Sequence, residues 1–183
     1  MEKKLLREKI LKKLHSQSSL ERRRKSQVIK RKLFSSLEFK KARYVMFYVA
    51  KEEEVDTSSM IDGAIKSGKK VVVPVVLKRE RKLVGTLISD RVKDLFPGPF
   101  GILQPKPDTI NEVPADKLDL IIVPGIAFDE QNTRLGRGAG YYDRFLETIP
   151  EKVKSIGLAF DFQVVDYLPK LSHDISVTKV LTA

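Results

Sequence analysis

The sequence feature that most constrains the fold is a pair of apolar segments joined through a glycine-rich loop and a helix-forming segment. The first apolar segment covers residues 117–124, and the second covers residues 155–160. Residues 141–146, directly after the glycines, have the pattern of the start of a helix, so the stretch predicts a strand–helix–strand unit. A helical crossover of this kind joins parallel strands. The chain is therefore predicted to be an α/β protein with a mainly parallel sheet.

The rest of the chain continues this alternation of strands and helices. Strands are predicted at 44–50, 69–76 and 81–88, with a helix at 57–67 between the first two. Pro74 has no amide hydrogen to donate, which indicates a strand end or an edge strand. Residues 126–135 are polar enough to predict a loop before the glycines. A length of 183 residues fits one domain.

The N-terminal segment differs from the rest of the chain in charge. Residues 1–43 contain 16 Lys and Arg against 4 Asp and Glu, whereas residues 44–183 contain 19 against 20. The apolar spacing predicts two helices in the first segment. We therefore expect a basic helical arm, residues 1–43, packed on an α/β core, residues 44–183, within a single domain that covers residues 1–183.

Composition excludes several kinds of site and location. The chain has no cysteine and only two histidines, which excludes disulfides, thiolate metal sites and multi-histidine metal sites. A metal ion would need oxygen ligands. No apolar run is long enough to cross a bilayer, and the N-terminus lacks the apolar region of a secretory signal. These features predict a cytoplasmic protein that does not bind membranes.

The glycine-rich loop, residues 136–140, is the strongest candidate for a binding site. Glycine at alternate positions lets the backbone approach a ligand closely, and the helix predicted to begin at Tyr141 would point its free amides at the loop. The spacing matches neither the dinucleotide fingerprint nor a P-loop. The glycines alone are also compatible with an ordinary turn.

Two charged clusters lie where they can contribute to the same site. The acidic residues 52–54 follow the first predicted strand, so they reach the same sheet edge as the glycine-rich loop if the strands are parallel. Lys3 and Arg7 are four residues apart and share one face of the first helix. The alternatives for both clusters are solvated surface charge and ligand binding.

The segment from Asn132 to Asp143, NTRLGRGAGYYD, resembles the signature of the 5-formyltetrahydrofolate cyclo-ligases, also called 5,10-methenyltetrahydrofolate synthetases. The resemblance implies a sandwich fold with a Rossmann-like sheet, similar to the sugar-phosphate isomerase and CoA-transferase group. It also implies cyclisation of 5-formyltetrahydrofolate to 5,10-methenyltetrahydrofolate, with Mg²⁺ and ATP required and with ADP and phosphate released. The reaction would pass through a phosphorylated formyl group, an imidate phosphate.

The resemblance also assigns roles to residues. It implies that Arg137 and Tyr142 are catalytic. The residues expected to bind ATP are Lys3, Lys4, Arg7, Arg134, Leu135, Gly136, Arg137, Gly138, Ala139, Gly140, Tyr141, Tyr142 and Asp143. The residues expected to bind the folate are Tyr48, Glu54, Phe100 and Tyr142. The residues expected to bind magnesium are Asp143 and Asp174. Ala139 stands where many relatives have lysine or glycine, so a phosphate contact from that side chain is absent.

The expected partners are ATP and 5-formyltetrahydrofolate, which can carry a polyglutamate tail. We expect a monomer that does not bind nucleic acid. Two alternatives stay open from the residues. The first is a nucleic-acid-binding module that uses the basic arm, which leaves the glycine-rich loop unexplained. The second is a sugar-phosphate or acyl-CoA enzyme of similar fold.

Overall fold

A computed structural model of the chain describes residues 2–169 and 174–183, apart from the side chains of Phe100 and Pro107. The helices are α1 (Glu2–Ser16), α2 (Ser19–Ser35), α3 (Leu37–Lys41), α4 (Ser58–Lys66), α5 (Arg91–Asp94) and α6 (Tyr141–Glu147). The strands are β1 (Tyr44–Met46), β2 (Lys70–Leu77), β3 (Lys82–Ile88), β4 (Phe96–Pro97), β5 (Leu103–Gln104), β6 (Glu112–Val113), β7 (Leu120–Val123), β8 (Ala127–Asp129), β9 (Arg134–Leu135), β10 (Lys154–Ala159), β11 (Val164–Val165) and β12 (Lys179–Thr182). Within these residues, no helix has both the length and the apolar character needed to cross a membrane.

The centre of the molecule is a seven-stranded sheet with the order β12-β10-β7-β1-β2-β3-β6. The first five of these strands run parallel to one another, and β3 pairs antiparallel with both β2 and β6. The helix α6 lies between β7 and β10 in the chain, and these two strands are parallel neighbours. The predicted α/β class with a mainly parallel sheet is therefore confirmed.

Both faces of the central sheet are buried because apolar residues occupy successive positions of the strands. In β7, Ile122 packs in the core on one face and Ile121 packs in the core on the other. The first face carries α1, α2 and α4, and the second carries α6. Near-continuous apolar runs are the pattern expected of parallel strands covered by helices on both faces.

The N-terminal helices belong to the first of these cores. Ile10 and Leu14 of α1 and Ile29 and Leu33 of α2 are almost completely buried in the same cluster as the sheet residues. Most of the lysine and arginine side chains point away from this contact and are exposed. The apolar stripe of the basic arm is thus attached to the core, and its charge faces outward.

The prediction that Pro74 marks a strand end or an edge strand is wrong. Pro74 lies inside β2, opposite Gly85 of β3, and β2 is an interior strand. Successive residues of β2 direct their backbone N–H and C=O groups alternately toward β1 and toward β3. The Val72 carbonyl accepts a hydrogen bond from the Phe47 amide, so the backbone groups of Val72 point toward β1. Pro74 therefore also faces the β1 side. Since β1 ends at Met46, proline removes no sheet hydrogen bond there.

The segment predicted as a polar loop, residues 126–135, is also different in the structure. It contains the antiparallel pair of β8 and β9, which forms a small second sheet with β11. The buried carboxylate of Asp129 accepts hydrogen bonds from the amides of Gln131, Thr133 and Leu168. These bonds hold the turn, in which Asn132 has a left-handed backbone with φ of 59°. The ordered hairpin leads directly into the glycine-rich loop.

Candidate active site

A cavity of about 340 Å³ opens at the carboxyl ends of β1 and β7, which is where ligands bind in open α/β sheets. Its volume falls in the range of small-molecule sites. The predicted site residues that line it are Tyr48, Glu54, Arg134, Gly136, Arg137, Gly138, Ala139, Gly140, Tyr141, Tyr142 and Asp143. The strand order therefore brings together segments that lie more than 80 residues apart in the sequence.

Five of the predicted site residues whose side chains are described are not in this lining: Lys3, Lys4, Arg7, Leu135 and Asp174. Leu135 is buried in the main core, and Lys4 is exposed on α1. Lys3 and Asp174 pair with each other, with Nζ 2.5 Å from Oδ2. The side chain of Phe100 lies outside the described residues.

The glycine-rich loop exposes a row of backbone amides. Gly138 and Gly140 have φ of 101° and 67°, values that a residue with a Cβ rarely adopts. In the part of the chain that the structure describes, the amides of residues 137–140 donate no hydrogen bond. Because α6 has only seven residues, its dipole adds little. The capacity of the loop to hold an anion thus rests on its own amides and on nearby cations.

Arg134 lies beneath this loop. Its side chain is only 3% exposed, and its guanidinium donates from Nη2 to Asp143 Oδ1 at 2.6 Å and from Nη1 to the Pro124 carbonyl at 3.2 Å. A Cβ added at Gly136 would lie 2.8 Å from Nη1, so a side chain at this position would require the guanidinium to shift. Among the described residues, the buried Nε atom has no hydrogen-bond partner. Arg134 therefore supports the loop from below.

Tyr142 lines the cavity, and its hydroxyl is buried. Burial raises the pKa of this hydroxyl far above its usual range, although the nearby Arg134 acts in the opposite direction. The hydroxyl oxygen is buried without a hydrogen-bond partner in the described part of the chain. Tyr142 is thus protonated at any physiological pH, and it can donate a hydrogen bond but cannot act as a base.

Arg137 connects the glycine-rich loop to the loop that follows β1. Its Nη2 atom lies 2.6 Å from Glu53 Oε1 and 2.8 Å from Glu54 Oε1, and its Nε atom also donates to Glu54 Oε1. Burial lowers the pKa of Arg137, but the two carboxylates more than offset this effect, and the net shift is upward. The same contacts, together with a backbone hydrogen bond, hold the pKa of Glu53 below its usual range against the effect of burial.

The two predicted folate residues on the β1 side are held by their own loop. The buried Tyr48 hydroxyl donates to the Val55 carbonyl at 3.0 Å, and Glu54 Oε2 accepts from the Lys51 amide at 3.0 Å. Burial raises the pKa of Tyr48 well above its usual range. Tyr48 can therefore offer a ligand its ring surface, whereas Glu54 offers a carboxylate.

Arg7 of the basic arm contacts the glycine-rich loop. Its Nε atom donates to the Gly136 carbonyl at 2.8 Å, and its guanidinium carbon lies 3.8 Å from the position of a Cβ on Gly138. This contact places a positive charge beside the row of loop amides. Charge and amide donors on one side of the cavity favour an anionic ligand such as a phosphate chain.

The two aspartates predicted to bind magnesium do not form a preformed metal cage. The described residues contain no group of three or more acidic, histidine or cysteine side chains that could hold a metal. Asp143 lines the cavity and uses Oδ1 for Arg134, which leaves Oδ2 for a cation. Mg²⁺ that arrives with a triphosphate needs only one or two protein carboxylates. Asp143 fits this requirement, whereas Asp174 would first have to separate from Lys3.

The structure adds residues that the sequence did not indicate. Gln104 lines the cavity, and its Oε1 atom accepts a hydrogen bond from the Val76 amide at 3.2 Å. Gly98 packs against this side chain so closely that a Cβ there would lie 2.5 Å from Gln104 Cγ. The proline and glycine content of residues 97–105 is typical of a loop, but it gave no reason to select Gln104. Glu53 was visible only as a member of the acidic cluster.

Comparison with known proteins identifies the family. The model of the 5-formyltetrahydrofolate cyclo-ligase family matches residues 1–183. The chain belongs to this family. It is 32% identical over 175 residues to a probable 5-formyltetrahydrofolate cyclo-ligase of Caenorhabditis elegans, which covers 90% of this chain and 84% of the relative. It is 33% identical over 142 residues to the 5-formyltetrahydrofolate cyclo-ligase of Escherichia coli K12, which covers 77% of this chain and 78% of the relative.

Solved structures of the cyclo-ligase family have the same fold. An NMR structure of the Aquifex aeolicus 5,10-methenyltetrahydrofolate synthetase superposes with a TM-score of 0.87 at 36% identity, over 100% of this chain and 90% of that one. A Mycoplasma pneumoniae 5,10-methenyltetrahydrofolate synthetase has a TM-score of 0.79 at 24% identity, over 99% and 98% of the two chains. The match to the cyclo-ligases extends over the entire fold, so it includes the basic arm as well as the glycine-rich loop.

Proposed function

We propose that the protein catalyses the ATP- and Mg²⁺-dependent cyclisation of 5-formyltetrahydrofolate to 5,10-methenyltetrahydrofolate. The observation that carries this proposal is one cavity that joins the loop amides and Arg137 to the carboxylate of Glu54, in a chain of the cyclo-ligase family. The amides and the guanidinium suit a triphosphate, and the carboxylate suits the hydrogen-bond donors of a pterin ring.

The bond changes take place within the two substrates. The formyl oxygen attacks the γ-phosphorus of ATP and ADP leaves, which gives a phosphorylated formyl group on N5. N10 then attacks the formyl carbon and loses its proton, and phosphate departs as the ring closes. The protein has to align oxygen with phosphorus, neutralise the transferred charge and exclude water from the activated group.

The nucleotide is assigned to the side of the cavity that carries positive charge. The amides of residues 137–140 and the guanidinium groups of Arg137 and Arg7 would contact its phosphates. Arg134 would contribute its Nε donor from beneath the loop. These groups stabilise negative charge without a proton transfer, which suits phosphoryl transfer.

The folate is assigned to the opposite side of the cavity. Glu54 would accept hydrogen bonds from the pterin, and the Tyr48 and Tyr142 rings would pack beside it. The neutral Tyr142 hydroxyl would donate a hydrogen bond to an oxygen of the substrates. Asp143 Oδ2 would hold Mg²⁺, which supplies charge neutralisation for the triphosphate. The second metal ligand, Asp174, the monomeric state and the cytoplasmic location stay predictions.

An absorbance assay tests the proposal. Purified protein mixed with 5-formyltetrahydrofolate and Mg-ATP should produce the absorbance of methenyltetrahydrofolate, whereas omission of ATP or chelation of Mg²⁺ should stop it. Arg137→Ala should reduce turnover more than tenfold, because it removes a donor to transferred charge. Arg24→Ala, an identical change at an exposed position of α2, is the matched control. Product formation without ATP, or equal turnover of the two variants, would refute the proposal.

A further inference from the structure

Glu53 has no part in the roles described above, yet it makes one of the shortest contacts of the site. Its Oε1 atom lies 2.6 Å from Arg137 Nη2, and Glu54 Oε1 lies 2.8 Å from the same nitrogen. The two carboxylate side chains are each 14% exposed, and that of Arg137 is 37% exposed. One guanidinium nitrogen is therefore shared by two neighbouring carboxylates on the loop that follows β1.

A phosphate group would have to compete for this guanidinium. The Nε and Nη2 atoms form one edge of the guanidinium, and both donate to the carboxylates, while Arg137 itself lines the cavity. A phosphate oxygen that accepts from this edge replaces at least one carboxylate, and a triphosphate beside two uncompensated carboxylates is repelled by them. From this geometry we infer that Glu53 is an affinity-setting residue of the site, one that competes with nucleotide phosphate for Arg137. This inference rests on the proposed function, because it requires Arg137 to bind phosphate.

The competition also couples the two substrates. Glu54 Oε2 is held by the Lys51 amide, so Oε1, the oxygen that pairs with Arg137, is the one that turns to a folate. When phosphate draws Arg137 away, that oxygen becomes available to a pterin donor. Bound nucleotide therefore raises the affinity for folate, and by thermodynamic reciprocity bound folate raises the affinity for nucleotide. Glu53 affects the nucleotide side of this equilibrium, since it forms an ion pair with Arg137.

The adjacent residue provides a matched control. Glu52 carries the same charge one position earlier, but its side chain is 93% exposed and its partner is Arg22 of α2, at 3.7 Å. Glu52→Gln and Glu53→Gln therefore remove the same charge from the same loop. They differ in whether the carboxylate touches Arg137. A general electrostatic effect on a triphosphate would be similar in both variants, whereas competition for Arg137 affects only the second.

The test is calorimetric titration of the full chain with Mg²⁺ and AMP-PNP, an ATP analogue that is not hydrolysed. Glu53→Gln should lower the Kd for AMP-PNP by about threefold or more relative to Glu52→Gln, as expected for the loss of a partly exposed competing ion pair. In an Arg137→Gln background, the two substitutions should have equal effects. In the wild-type protein, AMP-PNP should tighten the binding of 5-formyltetrahydrofolate.

Each outcome of the titration has a distinct meaning. Equal Kd values for the two variants would overturn the inference. Weaker AMP-PNP binding by Glu53→Gln would also overturn it, because Glu53 would then orient Arg137 toward phosphate. If the wild-type protein binds no AMP-PNP, the proposed function itself fails. If Glu53→Gln does not fold, Glu53→Asp is the second variant. Its shorter side chain retains the charge but moves the carboxylate away from Arg137, so it should also lower the Kd for AMP-PNP.

Discussion

Arg134 Nη2 lies 2.6 Å from Asp143 Oδ1, in an ion pair whose arginine side chain is only 3% exposed. Arg134 lies in β9, just before the glycine-rich loop, and Asp143 lies in the first turn of α6, just after the loop. Both ends of the loop are thus attached to one buried contact. The carboxylate assigned to magnesium is also a structural support of the loop.

Removal of the charge on Asp143 should therefore destabilise the protein. Asp143→Asn leaves a buried guanidinium without its counter-charge, which we expect to cost about 3 kcal/mol of unfolding free energy. Asp161→Asn is the matched control, because Asp161 pairs with Lys25 but its side chain is 67% exposed. The control should cost less than about 1 kcal/mol. Urea denaturation gives both values, and similar losses in the two variants would show that the buried pair contributes no special stability.

Tyr142→Phe should separate stability from activity. The hydroxyl is buried and has no hydrogen-bond partner among the described residues, so its removal should leave the melting temperature unchanged or raise it. Turnover should fall by about tenfold if the hydroxyl donates to a substrate oxygen. Because the raised pKa keeps Tyr142 neutral, the pH–rate profile of the variant should keep its shape. A lost ionisation in that profile would mean that Tyr142 titrates during catalysis.

Glu54→Gln should weaken folate binding and leave nucleotide binding unchanged or tighter. The amide retains an acceptor for the Lys51 amide but loses the charge that attracts pterin donors and holds Arg137. Calorimetric titration with 5-formyltetrahydrofolate and with AMP-PNP measures both effects, and Glu52→Gln controls for the general charge. Parallel weakening for both ligands would indicate that the loop after β1 is misfolded in the variant.

The basic arm should act on ATP through specific residues rather than through its total charge. Changing Lys3 and Arg7 to Gln should raise the KM for ATP severalfold or more, since Arg7 contacts the glycine-rich loop and charge-assisted bonds to phosphate are worth roughly 1.5–3 kcal/mol each. Changing the exposed Arg23 and Arg24 of α2 removes the same charge and should leave this KM nearly unchanged. An equal rise in KM for both pairs, measured by steady-state kinetics, would mean that the arm is a diffuse electrostatic surface.

The sequence predicted those features that depend on local pattern. The strand–helix–strand unit and the glycine-rich loop were evident because their apolar runs and glycine spacing lie within a segment of about 40 residues. The position of Pro74 was predicted wrongly. An interior strand can contain this proline because β1 ends before the point where the missing amide hydrogen would be needed, and the sequence does not show where β1 ends. The hairpin at residues 127–135 was missed although Asp129 and Asn132 are common turn residues, because the two strands beside the turn are only three and two residues long.

The contacts within the site were beyond reach of the sequence for a similar reason. The pair of Arg137 with Glu53 joins segments whose distance is set by the strand order, and the pair of Arg134 with Asp143 depends on the path of the loop between β9 and α6. The sequence could select the charged residues, but it could not show which of them neutralise one another. Resemblance to the cyclo-ligases supplied ligands and roles, and the structure supplied the partners of each side chain.

The most direct test of the central claim follows the formyl oxygen. In the proposed reaction this oxygen attacks the γ-phosphorus and later leaves with the phosphate. The protein should therefore convert 5-formyltetrahydrofolate labelled with ¹⁸O in the formyl group into methenyltetrahydrofolate and one equivalent of ¹⁸O-labelled phosphate, as measured by mass spectrometry. Phosphate without the label, formed together with methenyltetrahydrofolate, would contradict direct phosphorylation of the formyl oxygen.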